Sequence, residues 1–129
     1  MKIIAQVEQT SPVAEFANAL LIGSYKLHLI HLQTRSFAQH SALSFYEDLA
    51  GMADEFIEQY QGLYNLITTY PQASVVNDKD PVVLLQSLHE TIQRLRKQTG
   101  FPQDSCLQNK IDEIEGGIAR TLYKLRFLA

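Results

Sequence analysis

The 129-residue sequence has no tryptophan, two methionines, four prolines and one cysteine, Cys106. A single cysteine excludes an intramolecular disulfide framework and any multi-cysteine zinc site. No apolar run approaches the roughly 20 residues a membrane span needs. The opening residues, Met1 to Glu8, are too short and too soon charged to read as a signal peptide. Positive charge is also scarce: no Lys or Arg occurs from Ser36 to Asp78, and residues 1–78 hold three Lys/Arg against eight Asp/Glu. Residues 79–129 hold eight against six. A duplex-binding surface needs a basic stripe or arm, whereas the N-terminus offers only Lys2, and Arg94, Arg96 and Lys97 read as a solvated helix end. The common catalytic signatures are missing too, with no Gly-rich phosphate loop, no Gly-x-Ser-x-Gly, no His-Glu-x-x-His and no Cys-x-x-Cys. These absences leave a soluble, cytoplasmic protein with neither membrane nor nucleic acid as its expected partner.

What is present is a helical pattern. With 46% hydrophobic and 19% charged residues and a net charge of −3, residues 1–129 make one ordinary globular domain. Ser11-Pro12 supplies a cap residue and a proline at the first helical position, and Val13, Ala17, Leu20, Ser24, Leu27 and His31 then recur at helical spacing, predicting a helix over about 12–33. Ser36 with Gln39 reads as a capping box opening a second helix over about 37–62, with a core stripe of Leu43, Tyr46, Ala50, Ala53, Ile57 and Tyr60. Residues 63–80 lose periodicity and predict a long crossover. Asp80-Pro81 opens a third helix, about 81–98, carrying Leu84 or Leu85, Leu88, Ile92 and Leu95, and stopped by Gly100 and Pro102. Asp104 caps the fourth, about 105–127, with Leu107, Ile111, Ile114, Ile118, Leu122, Leu125 and Leu128 on one stripe. Gly116-Gly117 inside that helix costs about 1 kcal/mol per glycine, so it marks a close backbone approach or a kink. The fold class is therefore all-α, a four-helix bundle with a long connection between its second and third helices.

The chemistry-bearing pattern lies on the second helix. His40, Ser44, Glu47, Gly51, Asp54 and Glu58 are spaced 4, 3, 4, 3, 4 and share one face at the core's edge. One imidazole and three carboxylates suit hard or borderline divalent metals. An antiparallel hairpin brings His31, at the end of the first helix, close to His40 and less close to Asp54 and Glu58. The plainer reading makes this stripe a solvated helix edge, His31 a core histidine, His28 a flanking surface one and Cys106 a packing residue. His89, beside Glu90, is a weaker ligand candidate.

His31-Leu-Gln-Thr-Arg-Ser-Phe37-Ala-Gln-His40, followed by Phe45-Tyr46 and Asp54-Glu55-Phe56-Ile57-Glu58, resembles the ferritin-like superfamily, specifically its Dps-like branch, and within it small proteins of bacteria and tailed phages. The resemblance covers roughly residues 25–62. It implies a ferroxidase iron site shared between two subunits, with His31 or His28 as the first histidine, His40 as the second, Asp54 as the acidic residue and Glu58 as the glutamate. Leu32 stands where that branch has an aromatic residue, Ser44 where it has an acidic ligand (with Glu47 a substitute), and the third and fourth helices lack Glu-x-x-His motifs. Two functions follow. In one, the chain binds iron or another divalent metal through His31, His40, Asp54 and Glu58, with weak ferroxidase activity. In the other, a metal-free helical protein acts through a homo-oligomer or protein partner, using Phe45, Met52, Phe56 and Phe127.

Overall fold

The computed structural model describes residues 11–72 and 79–128. The readings of Met1–Glu8 and of residues 73–78 in the crossover lie outside them. Five helices form: α1 (Pro12–Gln33), α2 (Phe37–Ala42), α3 (Phe45–Leu63), α4 (Pro81–Arg96) and α5 (Ser105–Phe127). Among the described residues there is no strand.

Two helix starts follow the sequence closely. The Ser11 hydroxyl accepts from Ala14 N at 3.2 Å, and Asp80 Oδ1 accepts from Val82 N at 3.0 Å and Val83 N at 3.4 Å, each just before a proline that fixes φ in the first turn. Ser36 also caps α2, accepting from Gln39 N at 3.2 Å. The reciprocal arm of the expected capping box does not form, because Ser36 N donates to Thr34 Oγ1 and Gln39 Oε1 accepts from the Thr34 hydroxyl instead. The Asp104 carboxylate likewise makes no cap to α5 and accepts from the Tyr64 hydroxyl, tying the start of the crossover to the start of the last helix.

The four long helices form a ring in the order α1, α3, α5, α4. Phe16 meets Phe56 and Ser24 meets Tyr46, so α1 and α3 are antiparallel. Lys110 meets Glu55 and Gly117 meets Phe45, so α3 and α5 are antiparallel as well. Gly23 packs against Leu88 while Ile30 shares a groove with Lys79, which sets α4 antiparallel to α1 and parallel to α3. α3 therefore ends and α4 begins at opposite ends of the bundle, and Asn18 Nδ2 on α1 donates to Pro71 O at 3.1 Å in the described part of the connection. The expected all-α crossover bundle is the observed fold.

The core is Phe16, Leu20, Leu27, Leu43, Leu49, Phe56, Leu85, Ile92, Leu95, Leu107, Ile111, Ile114 and Ile118, all fully buried. At roughly 1.5–3 kcal/mol for each large side chain removed from water, these residues supply most of the drive to fold. Of the two readings of the paired glycines, close approach is the correct one. A Cβ on Gly117 would lie 2.6 Å from Phe45 Cε1, and α5 continues unbroken through both.

The second predicted helix is where structure and pattern part. It breaks at Leu43-Ser44, where three amides reach back only three residues: Ser44 N to Ser41 O, Tyr46 N to Leu43 O and Glu47 N to Ser44 O. The Ser44 hydroxyl also donates to Ser41 O at 2.8 Å, competing with the helical ladder. Each residue in such a turn advances about 120° rather than 100°, so the helical phase slips. Past the break the buried stripe is Phe45, Leu49, Ala53, Phe56 and Ile57. Phe45 and Phe56 are thus core residues, and Met52 packs against the core, which corrects their assignment to a partner-binding surface. Of that set only Phe127 is exposed.

Candidate functional site

α1 ends at Gln33 and α2 at Ala42, leaving the last carbonyls of each without amide partners from the helix itself. His31 and His40 meet this need reciprocally. His31 Nδ1 lies 2.7 Å from His40 O, and His40 Nδ1 lies 2.8 Å from His31 O. A carbonyl only accepts, so Nδ1 carries the hydrogen in both rings. Each imidazole caps the other's helix C-terminus, where the helix dipole also favours a donor. The break at Leu43-Ser44 makes this necessary, since Ser44 N turns to Ser41 O and leaves His40 O for the histidine.

The two rings stack, with centroids 3.8 Å apart and planes 19° from parallel. One turn earlier on α1, His28 stacks on Tyr46 at 3.9 Å and 6°. The structure thus separates the two candidates: His31 faces His40, and His28 faces α3. The Tyr46 hydroxyl donates to Glu47 Oε1 at 3.1 Å; desolvation, that hydrogen bond and the carboxylate's charge push its phenol above the ordinary value.

Asp54 and Glu58 are exposed on α3, about 14 Å and about 20 Å beyond Phe45 along the helix axis. Within one chain the four predicted ligands therefore do not meet. The nitrogen pair does not converge on one ion either, because imidazole lone pairs lie in the ring plane and these planes are stacked. An ion about 2 Å from one Nε2 would sit out of the plane of the other. Among the described residues no group of three or more His, Cys, Asp or Glu is arranged to hold a metal.

Two charged knots escaped the sequence reading. Arg96, expected in a solvated helix end, is 13% exposed. It donates to Gln108 Oε1 at 2.9 Å and Gln108 O at 3.1 Å, and pairs with Asp112 at 2.8 Å and Glu115 at 3.2 Å, locking α4 to α5. The only sequence signal for it was the i, i+3 carboxylate pair on the neighbouring helix. Lys110 pairs with Glu55 at 2.6 Å and Glu113 at 2.7 Å, locking α5 to α3; hydrogen bonds to Glu113 and Glu55 raise its pKa. Cys106, expected to pack, is exposed. A groove of about 450 Å³ between α1 and α4 is floored by Ile22, Leu84, Leu88 and Leu95 and crossed by Pro71 and Gln72.

The surface carries more exposed apolar side chain than the core requires. On α1, Leu21, Tyr25 and Leu32 face outward, and between Phe16 and Gln33 the only Lys, Arg, Asp or Glu is Lys26. At the bundle end formed by α2 and the C-terminal turn of α5, Phe37 is 84% exposed and Phe127 66% exposed. No described helix is long and apolar enough to cross a membrane.

The chain matches the model of a family of unknown function over residues 31–125. It is 26% identical over 124 residues to an uncharacterised 14.6 kDa protein encoded in the mobD-ri intergenic region of Enterobacteria phage T4, a match covering 94% of this chain and 93% of that one. No solved structure matches. Neither match is to a protein described as ferritin-like; the phage part of the resemblance alone has a counterpart.

Proposed function

We propose that this chain, which belongs to the family of unknown function DUF5856, is a helical binding module whose α1 packs its outer face against another protein chain. The observation that carries this reading is the composition of α1. A helix on the outside of a monomer carries charge on its solvent face, and one that is apolar nearly all round is buried in something larger. α1 buries Phe16, Leu20, Leu27 and Ile30 in its own bundle and still presents Leu21, Tyr25 and Leu32 outward. Site-specific photocrosslinking tests it, with the reactive group at position 25 and at the exposed position 97 in cells that make the protein. A defined crosslinked species from position 25 and none from position 97 is expected. Equal crosslinking from both positions refutes the reading.

A second reading places iron or another divalent metal between two copies, and one observation favours it. With Nδ1 of His31 and His40 committed to carbonyls, both Nε2 atoms are free of partners among the described residues, while Asp54 and Glu58 stand exposed for a neighbouring copy. Apo-protein incubated with Fe(II) without oxygen, then stripped of excess, tests it. Stoichiometric iron on a dimer or larger species, lost in the His40→Ala, Glu58→Ala double variant, supports it. No retained iron on any assembly removes it.

A further inference from the structure

We infer that the α2–α5 end of the bundle is a homotypic contact, through which two copies of this chain associate weakly about a two-fold axis. This rests on the reading of the protein as a binding module but uses a different surface from α1. Phe37, the first residue of α2, is largely exposed and forms one wall of a groove of about 290 Å³ that Ala38, Ser41, Ala42, Lys124 and Leu128 complete. A large aromatic knob therefore stands at the edge of a hollow whose α2 side is otherwise small (Ala38, Ser41, Ala42) and whose α5 side is Lys124 and Leu128. In a two-fold contact each copy's knob meets the other copy's hollow, because the same patch serves both partners. Tyr123 and Phe127 extend the apolar area along α5, their ring centroids 6.2 Å apart, with the Arg126 guanidinium 5.0 Å from the Phe127 ring centroid.

Charge argues for a second copy over an unrelated partner. On the α5 side the patch is bordered by Lys124 and Arg126. One turn back along α5, Arg120 lines the neighbouring groove with Glu47, Asp48 and Glu55 of α3. A surface meant for a strongly charged partner would carry one sign along its rim. Here the basic side chains border the patch and Glu47 and Asp48 line the next groove, so a two-fold contact can set one copy's basic residues against the other's acidic ones, which suppresses wrong partners and fixes register. The area sets the strength. At about 200 Å² per large aromatic side chain, the exposed parts of Phe37, Tyr123, Phe127 and Leu128 offer on the order of 500 Å² per copy. That falls short of the roughly 800 Å² each partner gives to a standard stable interface. The association is therefore concentration-dependent, and salt weakens it.

Sedimentation velocity of the full chain from about 10 µM to about 1 mM tests this, a span that captures weak dimers. The average mass is expected to climb from one chain toward two. Phe37→Glu is expected to stay at one chain throughout with unchanged helical circular dichroism, since the residue contributes almost nothing to the core. Lys124→Glu is expected to weaken association about tenfold, and adding Glu47→Lys and Asp48→Lys to it to restore association, because each border is complementary only to its opposite. A wild-type chain that remains a monomer at every concentration overturns the proposal. So does a Phe37→Glu variant that dimerises as well as wild type; in that case α1 remains the working face, since its crosslink from position 25 is read independently.

Discussion

Adding one methyl group in turn to the two adjacent glycines of α5 should move stability in opposite directions. At Gly116 the new Cβ meets only Arg120 Nη1 at 3.6 Å, an ordinary contact with the end of a flexible side chain. The variant gains the helical preference of alanine over glycine, about 0.5–1 kcal/mol. At Gly117 the same methyl lands 2.6 Å from Phe45 Cε1, 3.0 Å from Cζ and 3.6 Å from Met52 Cε. The Phe45 ring must retreat by about 1 Å in a close-packed interior, and overpacking of this kind costs about 1–3 kcal/mol. Set against the same gain in propensity, Gly117→Ala should be destabilising by up to about 2 kcal/mol. The propensity term is common to both sites, so the difference between the variants isolates the steric cost. Urea unfolding followed by far-ultraviolet circular dichroism measures both midpoints, and a common slope shows that the compared states are the same. In a Phe45→Leu background the penalty at position 117 should shrink while the gain at 116 persists, since only the former shares a contact with Phe45. Equal stabilisation by the two alanines would refute the packing of Phe45 on α5.

Arg96→Ala should cost about 2–3 kcal/mol, because it leaves the largely covered Glu115 carboxylate and Gln108 without their shared donor; a smaller loss on thermal unfolding than in a surface control such as Lys97→Ala would disprove the knot. Lys110 and Tyr64 both have pKa values raised by hydrogen-bonded carboxylates, Glu113 and Glu55 for the amine and Asp104 for the phenol. Folding therefore holds their protons more tightly than the unfolded chain does, so this stabilisation is complete below the ordinary values and is lost as pH rises through the raised ones. Melting temperature should drop at strongly alkaline pH, and the drop should be smaller in the Lys110→Met, Tyr64→Phe double variant. His31→Ala and His40→Ala should each cost about 0.5–1.5 kcal/mol. A double-mutant cycle on the two should show positive coupling, since either change removes one cap and the stack together; strict additivity would deny the reciprocal cap.

The elements whose signal lies in a few adjacent residues were legible. Ser11-Pro12 and Asp80-Pro81 each combine a side-chain acceptor with a preset φ, and both helices begin where that chemistry puts them. The stripe of α5, from Leu107 to Ile118, is buried as its period requires. The crossover topology was readable as well, since a short connection makes antiparallel neighbours and a long one permits the return from the end of α3 to the start of α4, but the order of the helices around the ring was not. What the period could not show was its own interruption. Ser41 and Ser44 look like polar helix positions, but one hydroxyl bonding back three residues replaces about a turn of α-helix with a tighter one. A stripe drawn through Leu43 at 100° per residue then selects Tyr46 and Ala50 and passes over Leu49 and Phe56, both fully buried.

The same ambiguity governs the histidines. An imidazole nine residues from another across a helix-to-helix turn reads as a metal ligand because a ring nitrogen is a good one, but a ring N–H is an equally good donor for a helix's unpaired carbonyls. Sequence spacing brings His31 and His40 together under either use; the two differ only in which atom points at what. Here each Nδ1 faces a carbonyl within 2.8 Å and the rings lie face to face, so the capping role is filled inside one chain. Any metal role would have to draw on the outward nitrogens and on carboxylates from elsewhere. The pattern on α3 that suggested ligands, with Asp54 and Glu58 exposed and no Lys or Arg in the sequence for many residues on either side, is equally what an acidic docking rim needs. The two readings make opposite demands on assembly. A shared metal site fixes α3 of one copy against the histidine turn of another, whereas the α2–α5 contact brings Glu47 and Asp48 onto Lys124 and Arg126. Association through Phe37 in metal-free buffer, unaltered by Fe(II), would therefore account for Glu47 and Asp48 without a metal and leave Asp54 and Glu58, further along α3, as a solvated helix edge.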